Sequence, residues 1–179
     1  ENALATKVII SDISEKCLSK AVKRLNENYK GMFTAVVSDG FDELPHVDEA
    51  LISGMGGEIM IKMLSRREDK PSRLILQPMK NSETLREYVI GNGYKIVRDY
   101  TFKDRKYYHV IVAEKSDEKD FYTADELMFG RDNLREKSSD FKSFIKDKIT
   151  LFSEASSRAF SPEKEVLEKK LEKLKEIIK

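Results

Sequence analysis

The sequence predicts an α/β fold: a mainly parallel sheet that ends in an antiparallel hairpin and is followed by a helical arm. Three observations predict it. From Lys7 to Glu114 short strand-like runs alternate with helix-like segments. The last two runs, Tyr94–Phe102 and Tyr107–Glu114, are separated only by Lys103-Asp104-Arg105-Lys106, too short for a parallel crossover. From Thr123 onward the pattern is helical throughout.

Lys7–Ser11 is a β-branched run, and Ser14–Tyr29 follows with Leu18, Val22 and Leu25 at helical spacing and Ser14 as N-cap. Phe33–Ser38 reads as the second strand and Ala50–Ser53 as the third. Glu58–Arg67 carries Ile59, Met63 and Leu64 on one helical side until Pro71 breaks it. Arg73–Pro78 is a fourth strand stopped by proline, and Ser82–Ile90 is a helix closed by Gly91-Asn92-Gly93. In the arm, Asp140–Ala159 places Phe141, Ile145, Ile149 and Phe152 on one face. Ser161-Pro162 reads as an N-cap with proline in the first helical position. Leu167, Leu171, Leu174 and Ile178 then form a short heptad seam, so the arm is expected to be a coiled-coil-like helical hairpin. The expected domains are 1–122 and 123–179, acting as a monomer or a weak homodimer through the terminal helices.

The chain has 179 residues, 40% hydrophobic and 36% charged, with a net charge of +1, so global charge does not announce a nucleic-acid binder. Residues 131–179 are mildly basic, with 13 basic against 10 acidic side chains. Cys17 is the single cysteine, which excludes a disulfide framework and a cysteine-based metal site; it reads as a small core residue. No run is long and apolar enough to span a bilayer, and the expected location is the cytoplasm.

The chemistry-bearing residues sit at strand ends. Ser11-Asp12, Ser38-Asp39-Gly40 and Ser53-Gly54-Met55-Gly56-Gly57-Glu58 close three successive strands. Ligands of open α/β sheets lie beyond such carboxyl ends, and glycine there lets a backbone approach a ligand. Each is also ordinary turn chemistry.

These residues, with Leu74-Ile75-Leu76-Gln77-Pro78-Met79, Tyr108-His109-Val110-Ile111-Val112-Ala113-Glu114 and Glu126-Leu127-Met128-Phe129-Gly130, resemble the bacterial tRNA (adenine(22)-N1)-methyltransferases over essentially the whole chain. The resemblance implies a Rossmann-like class I fold with a seven-stranded sheet, S-adenosylmethionine (SAM) as cofactor, and tRNA as partner. It implies that Asp12, with Ile13 beside it, faces the SAM ribose, and that Asp39 takes the adenine amino group with Gly40 under the ring. Gly54, Met55, Gly56 and Gly57 would line the wall between methionine moiety and target base, and Gln77 and Pro78 the target-base side. The family's first strand and glycine-bearing loop would lie upstream of Glu1; a chain lacking them is expected to have a split sheet and to bind SAM poorly.

Methyl transfer to N1 of adenine needs alignment and desolvation rather than a base, because N1 attacks through an in-plane lone pair. A chain with two histidines and no Ser/His/Asp set is compatible with that. Gln77 is either a hydrogen-bonding partner of the adenine edge or a polar strand-end residue. Met55 and Tyr108 are candidates to hold an exposed base, Tyr108 being equally a core residue, while His109 reads as a satisfied strand histidine and His46 as a loop residue. Cations for RNA phosphates are Arg105 and Lys106 with Lys103 in the hairpin tip, Lys142 and Lys146 with Lys148 on the first arm helix, and Arg66-Arg67. Two competing readings are an NAD-type dinucleotide-binding oxidoreductase, since an acid after the second strand suits a dinucleotide ribose, and a non-catalytic RNA-binding module built on the arm.

Overall fold

The structure, a computed structural model, describes residues 5–179; residues 1–4, with which the expected first domain begins, lie outside the described residues. The chain forms two compact units, one made of the chain up to Asp48 with Ile61–Pro71, the other of Glu49–Met60 with Ser72–Lys179. The strands form two separate ladders, of two and of four strands.

In the first unit β1 (Val8–Asp12) pairs in parallel with β2 (Phe33–Val37), in register from Val8↔Phe33 to Asp12↔Val37. Between them runs α1 (Glu15–Leu25), whose N-cap is Ser14; its hydroxyl accepts the Cys17 N–H at 3.3 Å. Leu18 is buried and Val22 and Leu25 half-buried, the expected stripe. Cys17 is exposed, contrary to its reading as a core residue. One residue along a helix rotates by about 100°, which takes position 17 off the Leu18 stripe. The arginine pair proposed as an RNA-binding cluster is occupied within the unit. Arg67 donates to the carbonyls of Phe41 (3.4 Å), Leu44 (3.3 Å) and Pro45 (2.8 Å) and lies over the Phe41 ring, fixing the loop after β2.

In the second unit the strand order is β3 (Glu49–Met55), β4 (Arg73–Pro78), β6 (Tyr107–Lys115), β5 (Tyr94–Lys103). β3 and β4 are parallel, β6 lies antiparallel between β4 and β5, and the short tip Asp104–Lys106 permits only an antiparallel β5–β6 pair. β3 runs past Ser53 because Gly54, at φ +79°, accommodates a shift of register against β4 before Met55. α2 (Gly57–Arg66) follows β3, and α3 (Ser82–Gly91) follows β4. Leu74, Leu76, Leu85, Val89 and Ile111 are fully buried between sheet and helix.

The helical part begins with α4 (Ala124–Phe129), opened by a capping box in which Thr123 and Glu126 bond each other's backbone N–H groups. Gly130 separates it from α5 (Arg131–Glu136); α6 (Ser139–Arg158) and α7 (Glu163–Ile177) form a packed hairpin. Phe141, Ile145, Leu174 and Phe129 make its core, with Ile149, Phe152 and Ile178 packed around them, so both expected apolar seams face inward. Ser161 is not the N-cap of α7. Pro162 takes that position, and the Ser161 hydroxyl donates to the Glu165 carboxylate at 2.8 Å.

An arginine–aspartate pair lies deep inside this unit. Arg86 of α3 is fully buried; it grips the Asp99 carboxylate of β5 with two hydrogen bonds, 2.6 and 3.1 Å, and donates to the Leu127 carbonyl at 2.7 Å. It thereby joins the sheet to the end of α4. No helix among the described residues is long and apolar enough to cross a membrane.

Candidate cofactor and substrate sites

The first unit brings Asp12 and Asp39 to the same end of adjacent strands. The β1–β2 register continues past β2, where the Ser38 N–H donates to the Asp12 carbonyl at 3.2 Å. One Asp12 carboxylate oxygen accepts the Ser14 N–H at 2.7 Å, an Asx turn that also starts α1; the other has no protein partner among the described residues. Ile13 beside it is 68% exposed, unusual for an isoleucine at a strand end. Gly40 follows Asp39, with Met63 packed against it. Arg66 bonds the Asp39 carboxylate at 3.1 Å and its carbonyl at 3.0 Å. That hydrogen bond holds the Asp39 carboxyl below the usual carboxylate range.

The second unit brings Gly54–Gly57 together with Gln77 and Pro78, since Met55 pairs with Pro78 in the ladder. The Gly54 N–H donates to Gln77 Oε1 at 3.1 Å, which fixes the amide orientation and leaves Nε2 donating to the Pro78 carbonyl at 3.2 Å. Gln77 therefore holds the glycine turn in place, and Met79 N–H closes the same junction on the Met55 carbonyl at 2.7 Å. Gly57 is required by close approach: a Cβ there would stand 2.3 Å from the Asn81 carbonyl oxygen.

A hollow of about 590 Å3 lies within the second unit, beginning at Pro78 and the Lys80–Ser82 loop and reaching Lys170 of α7. Tyr107 and His109 of β6 line it with Phe144 and Lys148 of α6. His109 Nδ1 is 2.9 Å from Thr101 Oγ1, and burial lowers the imidazole pKa to about 4, so the ring is neutral near pH 7. Its ring packs edge-on against Phe144, centroids 4.8 Å apart. The Lys148 ammonium lies 4.9 Å from the Phe144 ring centre, and burial pulls its pKa down.

Tyr108 lies outside this hollow, stacked on Phe102 at 5.1 Å. Of the proposed RNA-binding cations, Arg105, Lys106, Lys142 and Lys146 are exposed. The hairpin tip is bound to α6, because Lys103 N–H donates to Asp140 at 2.9 Å and the Tyr107 hydroxyl to Asp147 at 2.7 Å. Phe144 and Lys170 escaped sequence reasoning, and Phe152 reads there only as part of the apolar face of the arm. Phe144, Lys148 and Phe152 recur every four residues, a one-face signal that marks them as a unit.

A parallel β–α alternation with acidic strand ends, closed by an antiparallel hairpin, is a Rossmann-like arrangement. The family described as TrmK, tRNA (adenine(22)-N(1))-methyltransferase, matches residues 1–179, and the chain belongs to it. A candidate tRNA methyltransferase of Mycoplasma genitalium is 32% identical over 113 residues, 60% of this chain and 51% of that protein. The chain thus spans about half the length of that curated relative. Among solved structures, a candidate tRNA (m1A22) methyltransferase of Streptococcus pneumoniae superposes with a TM-score of 0.87 at 22% identity, covering 97% of this chain and 82% of that one. M. capricolum TrmK with S-adenosyl-homocysteine bound gives 0.82 at 20% identity, covering 97% and 80%.

Proposed function

We propose that the protein transfers a methyl group from SAM to N1 of an adenine in tRNA, the position-22 type of reaction. The whole-length family match carries this reading. The S. pneumoniae relative has been solved with SAM bound, which supports the same cofactor here.

Within each unit, taken by itself, the strand-end residues offer groups that suit parts of that cofactor. In this reading the free Asp12 oxygen accepts from the ribose hydroxyls with Ile13 alongside, and Asp39 accepts from the adenine amino group with Gly40 beside it. Gly54–Gly57 offer backbone without side chains to the methionine moiety. When bound, SAM would supply a methyl on a sulfonium, whose transfer to N1 would exchange the S–CH3 bond for an N1–CH3 bond and leave the positive charge on the base with no proton to remove. The chain's task is then alignment and exclusion of water. Gln77 positions the Gly54–Met55 backbone, and Met55 and Pro78 give the target base an apolar border. Arg105, Lys106, Lys142 and Lys146 meet RNA phosphates, on the 1–122 and 123–179 portions respectively. The seam of α7 is covered by α6 of the same chain, which supports the monomer over a homodimer through that seam. The nicotinamide-dependent alternative gains nothing from the comparisons.

The test is incorporation of labelled methyl into unmodified tRNA transcripts by the full-length protein, with the modified nucleotide mapped. The expected product is 1-methyladenosine at one position, lost in Asp12→Ala. Label on another base, or no label from a protein that binds SAM and tRNA, would overturn the proposal.

A further inference from the structure

We infer that the hollow of the second unit holds a nucleotide of the RNA strand adjacent to the methyl acceptor, its phosphate on Lys148 and Lys170 and its base against the Phe144 ring. The inference rests on the proposed function and concerns a subsite that function does not by itself require.

Charge points to an anion. Lys80, Lys148 and Lys170 all line the hollow and none has a carboxylate partner among the described residues, whereas Lys173 there is paired with Asp125. Glu83 is the one carboxylate of the lining. Lys148, half-buried and without a counter-charge, has lost hydration and gained no ion pair, which an arriving phosphate restores; Lys80 and Lys170 are exposed and add long-range attraction. The first N–H groups of α3 lie at the same place, and its N-cap Asn81 makes no side-chain cap to them.

The aromatic side points to a base. Phe144 lines the hollow with the Lys148 ammonium over its ring, while it also packs against the core of the arm. A base stacking there releases the ammonium to the phosphate, and stacking on protein aromatics tolerates any base. His109 Nε2 has no protein partner among the described residues and offers one hydrogen bond to ribose or base. The volume, about 590 Å3, suits one nucleotide.

Position separates this nucleotide from the acceptor. None of Gly54–Gly57 nor Gln77 lines the hollow; Pro78, Met79, Lys80 and Asn81 are the lining residues that border the glycine turn. The hollow runs from there toward α6 and α7, one step along a strand whose target base lies at the glycine turn.

The experiment uses Lys148→Gln and the more exposed Lys170→Gln, with methyl-transfer kinetics, tRNA binding across a salt series, and NMR of the His109 imidazole during titration with AMP or adenosine. Expected is a rise of about tenfold in KM for tRNA in each variant, with kcat and SAM affinity within about twofold, and a salt slope shallower by about one per lysine. AMP, and not adenosine, is expected to shift the His109 signals of the unaltered protein, and to fail in Lys148→Gln. A tRNA KM unchanged in both variants overturns the inference. So does AMP binding that depends on Lys148 while the tRNA KM stays unchanged, because the hollow then serves a free mononucleotide. Should the unaltered protein methylate no adenine, the proposed function fails by itself, while the tRNA-binding and AMP arms still decide the subsite.

Discussion

Arg66 and Arg86 each reach an aspartate, and their surroundings make the two pairs opposite in kind. Arg66 meets Asp39 at 3.1 Å with the side chains 34% and 53% exposed; Arg86 meets Asp99 at 2.6 Å with 0% and 1% exposed. In water an ion pair exchanges readily for other partners and adds little to stability. Buried, each charge has surrendered hydration, so neither can be left alone without a large penalty. One pair sits on a strand end proposed to take a ligand; the other fastens α3, β5 and the end of α4. The same chemistry is thus exchangeable in the first unit and fixed in the second.

The largest expected effect tests the fixed pair. Asp99→Ala leaves Arg86 charged and dry, and denaturant unfolding should show a loss of about 3–5 kcal/mol. Gly130→Ala should be damaging for a second reason. A Cβ at Gly130 would stand 2.6 Å from the Asp99 carboxylate, at a φ of +89° that disfavours any side chain. The double change Arg86→Met with Asp99→Leu should recover part of the loss, limited by the Leu127 carbonyl it leaves without its donor. A double variant no better than Asp99→Ala would show that the arginine holds this junction through the carbonyl and not through the aspartate.

Much of the frame was legible in the sequence because short-range rules decide it. Pro78 ends β4 where expected, Ser14 caps α1, and the tip Lys103–Lys106 forces an antiparallel hairpin. The pairing of α6 with α7 followed from two apolar stripes. What was not legible comes from residues far apart in the chain. Arg86 and Asp99 each stand in an amphipathic element where a charge normally faces solvent, and residues distant in the chain, Leu127 and Gly130 among them, lie against them in the fold. The break between α4 and α5 at Gly130 belongs to the same junction. The sequence leaves Gln77 open between base recognition and strand-end chemistry; its bond to the Gly54 N–H is invisible without the β3–β4 register. Cys17 shows the limit of periodicity in one turn, where a stripe fixes three positions and leaves the neighbour's side undetermined.

A middle-sized effect lies in pH, and it concerns the second unit alone. Burial holds His109 at about 4 in the folded protein, with Arg86 and Lys148 adding repulsion, against an ordinary value of 6.5. The unfolded chain therefore binds a proton between those values while the folded chain does not. The stabilisation is complete above pH 6.5 and is lost as pH falls toward 4, about 2–3 kcal/mol by pH 4.5. His109→Gln removes the titrating group, so its stability should fall less steeply than that of the unaltered protein across this window. Parallel curves for the two would mean that the imidazole is solvated and protonates freely.

The smallest effect on stability, and the sharpest on function, belongs to the exchangeable pair. Arg66 now occupies the Asp39 carboxylate that the adenine amino group is proposed to need, and the two demands are compatible because one carboxylate oxygen remains for each. Asp39→Asn keeps the shape but offers Arg66 a neutral oxygen, and the melting temperature should stay within measurement scatter, as for exposed pairs generally. SAM affinity measured by calorimetry on the full-length protein should fall by about tenfold or more, the scale of a lost charge-assisted hydrogen bond. Arg66→Gln is the complementary case: it frees the carboxylate without removing it, so SAM affinity should hold or improve. If Arg66→Gln weakened SAM binding as much as Asp39→Asn, the arginine would be part of the ligand's own contact set, and the pair in the first unit would be no more exchangeable than the one in the second.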